Sequence, residues 1–423
     1  MNKEKKKDNF DSAAAKISCL ALALSLVVTG FMLDSPQNIL SGLMNFPLHP
    51  DVLLSDYFVI GGAGAAFVNA GIVTFISICL TFIIDTTYSG STIAMIYLMA
   101  GFAMFGKNPF NILPFFAGVW LYSRHVGRPM RKYTNAALFS TTLSPFVTTV
   151  FLYRPFNPVI NAFLAFAVGA FIGYIIIPLA EHTFSSHMGY SLFNYGFAGG
   201  LLALVLTSVL RAVGNTVETA SIWNRGVPVP VLIYVIVLTS VLIISGLILC
   251  KGDLKRLFAL FRHSGQSPSD FVNTDGIGPV LINMGLMGLI CLAYILLIGG
   301  DLNGPVLGAI LTSIGFSAAG EHPKNSIPVI VGVYLASVFI VHDAHAPSVQ
   351  LAALFGTALA PISGQFGAVY GIAAGFLHTC VVLAVGPLCG GYNLYNNGFA
   401  AGLVAFIMVA VIQDLLNRKP KED

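Results

Sequence analysis

Charged residues are scarce in this sequence. Only 9% of its 423 residues are charged, whereas about 25% are charged in an average globular domain. Tryptophan is also scarce, with two residues, and none of the six cysteines forms a CxxC pair. So little charge argues against a soluble domain. The scattered cysteines argue against a disulfide framework and against a cysteine metal site.

Enzyme signatures are also missing. The chain has no nucleotide-binding P-loop, no HExxH zinc motif and no clustered aspartates for a prenyl diphosphate. The GGD stretch at 299–301 lacks the second membrane aspartate that an intramembrane protease needs. We therefore expect no enzymatic activity, no cofactor and no metal. The net charge of +3, with the basic residues in short loops, argues against nucleic acid as a partner.

Carboxylates are nearly absent from the interior of the apolar runs. The acidic residues near these runs fall at segment ends: Asp85, Glu181, Asp301 and Asp343. A carrier coupled to protons or sodium usually keeps a buried carboxylate. The pattern therefore favours facilitated passage of a neutral solute.

Apolar residues dominate instead, at 56% of the chain and a mean hydropathy of +0.83. We predict an all-α, polytopic integral membrane protein with about 14 hydrophobic segments. The segments fall near 14–33, 57–83, 90–105, 109–123, 136–152, 158–180, 190–212, 227–250, 276–298, 304–319, 325–341, 350–366, 367–388 and 392–414. Four of them, 90–105, 109–123, 304–319 and 325–341, are short and interrupted by Gly or Pro, which leaves open whether they span or re-enter.

The sequence also contains an internal duplication. Ten of fifteen positions are identical between GYSLFNYGFAGGLLA (189–203) and GYNLYNNGFAAGLVA (391–405). Upstream, residues 101–121 match 315–335 at an offset of 214 residues, and LFSTTLSPF (138–146) matches LFGTALAPI (354–362) at 216. Insertions separate the matched segments, mainly around 151–161. Such a duplication is typical of membrane proteins with a pathway between two similar halves.

Basic residues set the expected topology. They cluster at the N-terminus, in the loops 124–132 and 251–262, and in the tail at Arg418, Lys419 and Lys421. With the N-terminus in the cytoplasm, the predicted crossings place all four clusters there. The second repeat then enters the membrane in the opposite orientation, which predicts two inverted-topology repeats in a bacterial inner (plasma) membrane, with both termini cytoplasmic.

We divide the chain accordingly. The predicted parts are an N-terminus and first membrane helix (1–54), repeat 1 (55–213), a connecting helix and cytoplasmic linker (214–269), repeat 2 (270–414) and a cytoplasmic tail (415–423).

Polar residues kept in both repeats are the predicted pathway. An amide in the membrane costs free energy unless it is paired, and polar residues there are often functional. The predicted set is Asn69, Asn283, Asn111, Asn325, Asn194, Asn396, Thr141 and Thr357. The alternative for each asparagine is a purely structural bond to a broken helix end; for each threonine it is a bond to its own helix.

Other polar residues are left out of the predicted site. The blocks FGKNPFNILP and AGEHPKNSIP fit loops near the surface, so Lys107, Asn108, Glu321 and His322 are assigned to loops. The VHDAH stretch (341–345) has ligand-like spacing but no firm third ligand, and a loop is the better interpretation. For His378, the one titratable group well inside a late helix, a bond to a neighbour is favoured over a proton relay.

The paired motifs, together with the length and layout, resemble an uncharacterised bacterial multi-pass family, domain-of-unknown-function family 1576. This resemblance covers almost the whole chain and implies no known activity. A partial resemblance to urea transporters lies in GAVYGIAAGFL (367–377) with GGYNLYNNGFAAGL (390–403), and in GAFIGY (169–174). TTLSPF (141–146) and TALAPI (357–362) match only a fragment of that family's pore signature, L-P-x-x-T-x-P-F. The resemblance therefore implies a pore for a small polar neutral solute, not urea itself.

We therefore expect a membrane transporter or channel for a small uncharged polar solute, with its pathway between the repeats. The expected partners are that solute and the lipid bilayer, and association into a homo-oligomer stays open. Two alternatives remain: an ion-coupled secondary transporter of an organic solute, and a non-transporting intramembrane enzyme or assembly factor. A buried cluster of titratable groups would favour the enzyme, and a dry, packed repeat interface would favour the assembly factor.

Overall fold

The computed structural model describes residues 3–152, 157–212, 214 and 220–417, and these are almost entirely α-helical, as predicted. The first half contains α1 Lys3–Leu33, α2 Pro36–Asn45, α3 Tyr57–Ile60, α4 Ala63–Ile83, α5 Gly90–Phe102, α6 Pro109–His125, α7 Thr134–Phe139, α8 Ser144–Leu152, α9 Pro158–His187 and α10 Asn194–Ala212. The second contains α11 Val229–Cys250, α12 Lys255–Leu260, α13 Phe271–Asp275, α14 Ile277–Leu297, α15 Gly304–Phe316, α16 Pro323–Phe339, α17 Pro347–Phe355, α18 Ala360–Phe366, α19 Ala368–Leu388 and α20 Asn396–Asn417.

Short elements complete the fold. Two three-residue strands, β1 Leu53–Ser55 and β2 Ala220–Ile222, pair in parallel, with Leu53 opposite Ala220. The 3₁₀ turns are Phe46–Leu48, Met130–Tyr133, Ser140–Leu143 and Gly356–Leu359. The basic tail at 418–423 and part of the 151–161 insertion lie outside the described residues.

Ten helical segments within the described residues are long and apolar enough to cross a membrane, five in each half. They are Asn9–Leu33, Ala63–Ile83, Met130–Leu152, Pro158–His187, Asn194–Ala212, Val229–Cys250, Ile277–Leu297, Pro347–Phe366, Ala368–Leu388 and Asn396–Leu416. Large apolar side chains stay exposed on their outer faces, such as Phe163 at 72% and Leu297 at 86%. Exposure on this scale fits contact with lipid chains, so the protein is a polytopic membrane protein.

The four short segments form two hairpins. α5 has 13 residues, which rise about 20 Å against the ~30 Å of a bilayer core. The turn at 103–108 that joins α5 to α6 is buried throughout, as is the turn at 317–322 that joins α15 to α16. Both ends of the first hairpin lie on one side, because Asn135 binds Ser91 (2.9 Å) and Tyr133 contacts Tyr122 (5.5 Å between ring centroids). Each pair of short segments therefore forms a hairpin with its tip buried inside the protein.

The two halves pack alike beyond the segments that match in sequence. α1 packs against α4 as α11 packs against α14, and α6 against α9 as α16 against α19. Gly30 lies against Gly64 and Val68, and Gly246, 216 residues further on, lies against Gly278 and Ile282. The sequence comparison began the repeats at residues 55 and 270. α1 and α11, which precede those starts, therefore pack as counterparts on the first helix of each repeat.

Equivalent helices of the two halves cross in opposite directions. Gly101, near the end of α5, lies against Gly308, near the start of α15. Gly315, near the end of α15, lies against Ala94, near the start of α5. A Cβ at Gly101 would overlap the backbone of α15, so only glycine permits this approach. The two halves therefore meet along an antiparallel α5–α15 pair, with α10 and α20 in contact beside it.

Candidate functional site between the two halves

The tip of each hairpin is held by one buried asparagine. Asn69 on α4 donates from Nδ2 to the carbonyl oxygens of Ala103 (2.7 Å) and Lys107 (2.8 Å). Asn283 on α14 makes the same two bonds, again at 2.7 and 2.8 Å, to the matching carbonyls of the second hairpin. The Oδ1 atoms of both asparagines are buried and have no partner among the described residues. Each asparagine with its two bonded carbonyls, called a clasp below, therefore fixes one tip. The Oδ1 atom of each asparagine is left as an unpaired acceptor in the described part of the chain.

A second asparagine pair closes the same turns. Asn111 donates to the carbonyl of Gly106 (3.0 Å) and accepts from the backbone N–H of Asn108 (2.9 Å). Asn325 does the same at the second tip, at 2.9 Å for both bonds. This is the capping geometry of a helix start. Four of the predicted site residues thus lie at the hairpin tips and bind the protein's own backbone.

The predicted threonines lie one layer away. Thr141 and Thr357 are fully buried in the 3₁₀ turns Ser140–Leu143 and Gly356–Leu359. Each donates to the carbonyl three residues earlier, at 2.8 and 2.7 Å. A 3₁₀ stretch inside a spanning segment often marks a hinge or local strain. Thr141 also contacts the sulfur of Met99 (3.4 Å), so it reaches the first tip.

The last predicted pair is asymmetric. Asn194 binds the carbonyl of Ala180 (2.7 Å) and accepts from Thr183 (2.7 Å), which ties the start of α10 to α9. Its Oδ1 also bonds His187 Nε2 (2.9 Å). Asn396 is half-buried, and its Oδ1 has no partner among the described residues. The duplicated sequence therefore does not give these two asparagines the same role.

Two charged residues assigned to loops are in fact among the most buried in the protein. Lys107 is 0% exposed and lies at the first tip. Its Nζ contacts the Tyr395 hydroxyl and the Met99 sulfur (3.3 Å), and lies 5.3 Å from the centroid of the Phe102 ring. A sulfur, a phenol and aromatic faces are neutral partners, so the ammonium has no counter-ion in its first shell of contacts.

Glu321 occupies the matching position, 214 residues further on, and is also 0% exposed. Its Oε2 accepts from Ser313 Oγ (2.7 Å), Thr357 lies within reach of the carboxylate, and Oε1 has no partner among the described residues. No salt bridge within 4.0 Å joins either Lys107 or Glu321 to another described residue. One tip thus carries a buried lysine and the other a buried glutamate, and neither side chain is in an ion pair with a described residue.

The assignment of four residues to surface loops is therefore wrong. Asn108 and His322 are each 1% exposed and are the N-cap residues of α6 and α16. The low carboxylate content misled the interpretation, because Glu321 lies between apolar runs rather than within one. A usable signal existed: Lys107 and Glu321 each follow a duplicated glycine and precede a duplicated proline and asparagine. Carboxylates are nearly absent from the interior of the apolar runs, but Glu321 is a fully buried carboxylate between two of these runs.

Six aromatic rings fill the crossing between the tips. Phe102, Phe139 and Phe193 match Phe316, Phe355 and Tyr395 of the second half. Their contacts close into a cycle, in the order Phe102, Phe355, Phe193, Phe316, Phe139 and Tyr395, with centroid distances of 5.3, 6.3, 4.5, 6.0, 5.6 and, back to Phe102, 4.5 Å. All six are at most 4% exposed. The interface between the halves is thus dry and aromatic at its centre.

A cavity reaches this cluster from one side. It has a volume of about 630 Å³ and is lined by Asn194, Ser91, Asn135 and the linker residues 267–270, and it ends at Phe139 and Phe316. The basic loop residues Arg131 and Lys132 lie on this side, because they line a neighbouring pocket together with Asn135. The cavity therefore opens on the face that carries the basic loops.

The opposite face is closed by a strap of residues 220–226. Asp56 accepts from the N–H groups of Phe58, Asn224 and Gly304 at 3.0 to 3.2 Å. Burial raises the pKa of Asp56 to about 6, although these bonds act against it. β1 and β2 pair beside it.

Asp301 fastens the same strap. It accepts from the indole of Trp223 (2.7 Å), the backbone of Gly226 (2.6 Å) and Arg225 (3.1 Å). Burial alone would raise the pKa of Asp301, but these donors outweigh it and hold the pKa below the usual 3.8. Asp301 is therefore ionised at neutral pH and holds the strap in place through its bonds to Trp223, Arg225 and Gly226.

The remaining histidine motifs have local roles. The VHDAH stretch is a loop between α16 and α17, as predicted, and the His345 N–H binds the Asp343 side chain (2.9 Å). His378 bonds the side chain of Asn397 (3.2 Å), the favoured interpretation. Within the described ranges, no group of three His, Cys, Asp or Glu side chains is placed to hold a metal ion.

One comparison identifies the chain. The family model described as "Protein of unknown function (DUF1576)" matches residues 35–212 and 249–414, so the chain belongs to this family. The two matched segments cover both halves and leave out all of α1 and most of α11. No curated protein and no solved structure matches the chain.

Proposed function

We propose that this DUF1576 protein is a secondary carrier that moves a small polar organic solute across the bacterial inner membrane by alternating access. The solute site lies between the two hairpin tips, beside the six-ring cluster. The basic loops and both termini face the cytoplasm, so the cavity is the inward-facing entrance.

The antiparallel crossing supports inverted repeats. When two equivalent helices run in opposite directions, the two-fold axis that relates them is perpendicular to them. With the helices along the membrane normal, that axis lies in the membrane plane, as in inverted-repeat transporters. Five spans and one re-entrant hairpin per half give an odd number of crossings, which inverts the second half.

The packing of the crossing favours a carrier over an open channel. The aromatic cycle blocks the centre, the cavity approaches it from one face, and the aspartate-bound strap covers the other. Alternating access needs a closure of this kind on one side at a time. The channel for an uncharged solute that the sequence favoured would need an open passage where these rings lie.

The observation that carries the proposal is the pair of fully buried ionisable side chains, Lys107 and Glu321, that lack an ion-pair partner among the described residues at equivalent tips. A buried charge without a partner is costly, and intramembrane charges are usually retained for function. A polar solute with its own charged or hydrogen-bonding groups would satisfy both tips when it binds. Since Glu321 is a fully buried carboxylate, the ion-coupled alternative becomes the better interpretation.

A non-transporting assembly factor remains the second candidate, because the dry interface is what such a protein would show. Dry packing does not require Lys107 or Glu321, however: apolar residues there would pack as well at lower cost. The two candidates therefore differ in what happens when these charges are removed.

Uptake into proteoliposomes tests the proposal. The purified protein is reconstituted and offered radiolabelled amino acids, carboxylates and amines, with urea and glycerol as uncharged solutes. We expect saturable uptake of one charged class, and loss of that uptake in Lys107→Met. Lys324→Met is the control for loss of a lysine charge, because Lys324 is exposed and lies beside the second tip.

Three results would count against the carrier. Rapid flux of urea or glycerol that Lys107→Met leaves unchanged would restore the neutral channel. No uptake of any solute by a protein that elutes as a single folded species would favour the assembly factor. Equal losses in Lys107→Met and Lys324→Met would remove the first tip from the site.

A further inference from the structure

We propose that Glu321 is the binding site of a small monovalent cation, H⁺ or Na⁺, which balances the carboxylate in the membrane interior. This inference rests on the proposed carrier and names its coupling partner. It starts from the comparison of the two tips, which have one backbone geometry and opposite charges.

In the first half, the cation at this position is part of the chain. Lys107 brings an ammonium group to the tip, and its neighbours are a thioether, a phenol and ring faces, which suit a cation. The second half places a carboxylate at the same position, so the positive charge must come from solution. One half thus carries its cation covalently, and the other binds it reversibly.

The donors around Glu321 are those that a hard cation or a proton uses. The two carboxylate oxygens, Ser313 Oγ and the Thr357 hydroxyl supply four oxygen ligands, and the Cys291 thiol lies beside Ser313. Met99, the first-half counterpart of Ser313, contributes sulfur instead. Glu321 Oε1 has no partner among the described residues, which leaves one acceptor for the incoming cation.

The site is close to an entrance. The cavity of about 630 Å³ is lined by Phe316 and Ala319, which belong to the end of α15 and to the same turn as Glu321. α15 ends at Phe316, and the C-terminal end of a helix favours a cation. A cation from the cytoplasmic face would therefore have to cross only the edge of this turn.

Few titratable groups face Glu321 from the packed elements. Cys291 on α14 interacts with Ser313 and Glu321. His322 follows Glu321 in the chain, and its Nε2 bonds the carbonyl of His263 (2.9 Å). α15, the 356–359 turn and the first residues of α10 add no further ionisable partner among the described residues. A response to pH that Glu321→Gln removes would therefore belong to Glu321 itself.

The test measures cation binding without transport. The melting temperature of the full-length protein in detergent is recorded against NaCl at pH 8, with choline chloride at equal ionic strength, and against pH between 5 and 8 without sodium. We expect a rise of the melting temperature with Na⁺ or with acid, which names the cation. Glu321→Gln should abolish that rise, and Ser313→Ala should weaken it.

The matched control is Asp253→Asn, because Asp253 is an exposed carboxylate of the linker. It should keep the full response. If Glu321→Gln fails to fold, the Ser313→Ala midpoint decides: an unchanged midpoint overturns the proposal. A response that persists in a folded Glu321→Gln protein, or no response in the wild type, overturns it as well.

Uptake then separates this proposal from the carrier itself. If the cation drives transport, removing it should slow uptake about ten-fold, within the usual range of coupling between two sites. Cation binding without uptake of any solute would keep the site and reject the carrier. Uptake whose rate does not change with Na⁺ concentration or with pH would support the carrier and reject the coupling to a cation.

Discussion

The two hairpin tips show how far one backbone can support different chemistry. Both turns have the same asparagine clasps at matching distances, the same cap at the next helix and the same close glycine crossing. One of the two residues whose carbonyls each clasp binds differs in charge between the turns: it is Lys107 in the first turn and Glu321 in the second. The hydroxyl of Tyr395 contacts Lys107, and the residue that matches Tyr395 in the first half is Phe193, which lacks a hydroxyl.

The difference separates residues that build the turns from residues that use them. The clasp amides bind main-chain carbonyls, so they fix the shape of the turn whatever side chain it carries. The charge is then free to differ between halves. Duplicated residues mark the frame, and the function is expected where the duplicates disagree.

The largest expected effect comes from breaking the frame. Asn69→Ala and Asn283→Ala each remove two buried hydrogen bonds and leave two carbonyls without a donor, which costs about 3 kcal/mol of unfolding free energy. Because the two clasps have equal geometry, the two losses should be equal. Unfolding titrations in mixed micelles measure both.

Asn38→Ala is the control, since Asn38 is exposed and its one side-chain bond, to Asp34, is exposed as well. It should change the unfolding free energy by less than ~0.5 kcal/mol. A large loss in one clasp variant alone would show that the two tips are not equivalent, and would end the comparison.

Sequence reasoning predicted much of this frame. Hydropathy predicted a polytopic helical membrane protein, and repeated Gly, Pro and Asn marked the short segments and the tips. Because the sequence comparison used only identical residues, it missed two features of the structure. It left out α1 and α11, whose apolar side chains diverged while their glycines stayed in register. It also left out Lys107 and Glu321, because burial of a charge depends on contacts from distant helices that neither hydropathy nor local spacing contains.

The second prediction concerns the charges themselves. Removing a buried, unpaired charge relieves its desolvation cost, so Lys107→Met and Glu321→Gln should each stabilise the folded protein, by ~1–2 kcal/mol. Activity should fall in the same variants, as expected where a strained group serves function. The paired measurement is unfolding free energy against initial uptake rate. Destabilisation of either variant by more than ~1 kcal/mol would mean that its charge has a partner that the static contacts do not reveal.

The smallest effect comes from exchanging the single hydroxyl that distinguishes the two aromatic environments. Tyr395→Phe removes the oxygen next to Lys107 and should cost about 1.5 kcal/mol, as for a bond to a charged group. Phe193→Tyr places a phenol at the matching position of the second tip, where it can donate to the free Oε1 of Glu321, and should gain about 1 kcal/mol. Tyr392→Phe is the control, because the Tyr392 hydroxyl is buried without a partner among the described residues. The gain in Phe193→Tyr should disappear when the cation site is saturated, since the phenol and the cation compete for the same oxygen. A gain that persists at saturating cation would place the phenol elsewhere and separate the aromatic cycle from the charge at the second tip.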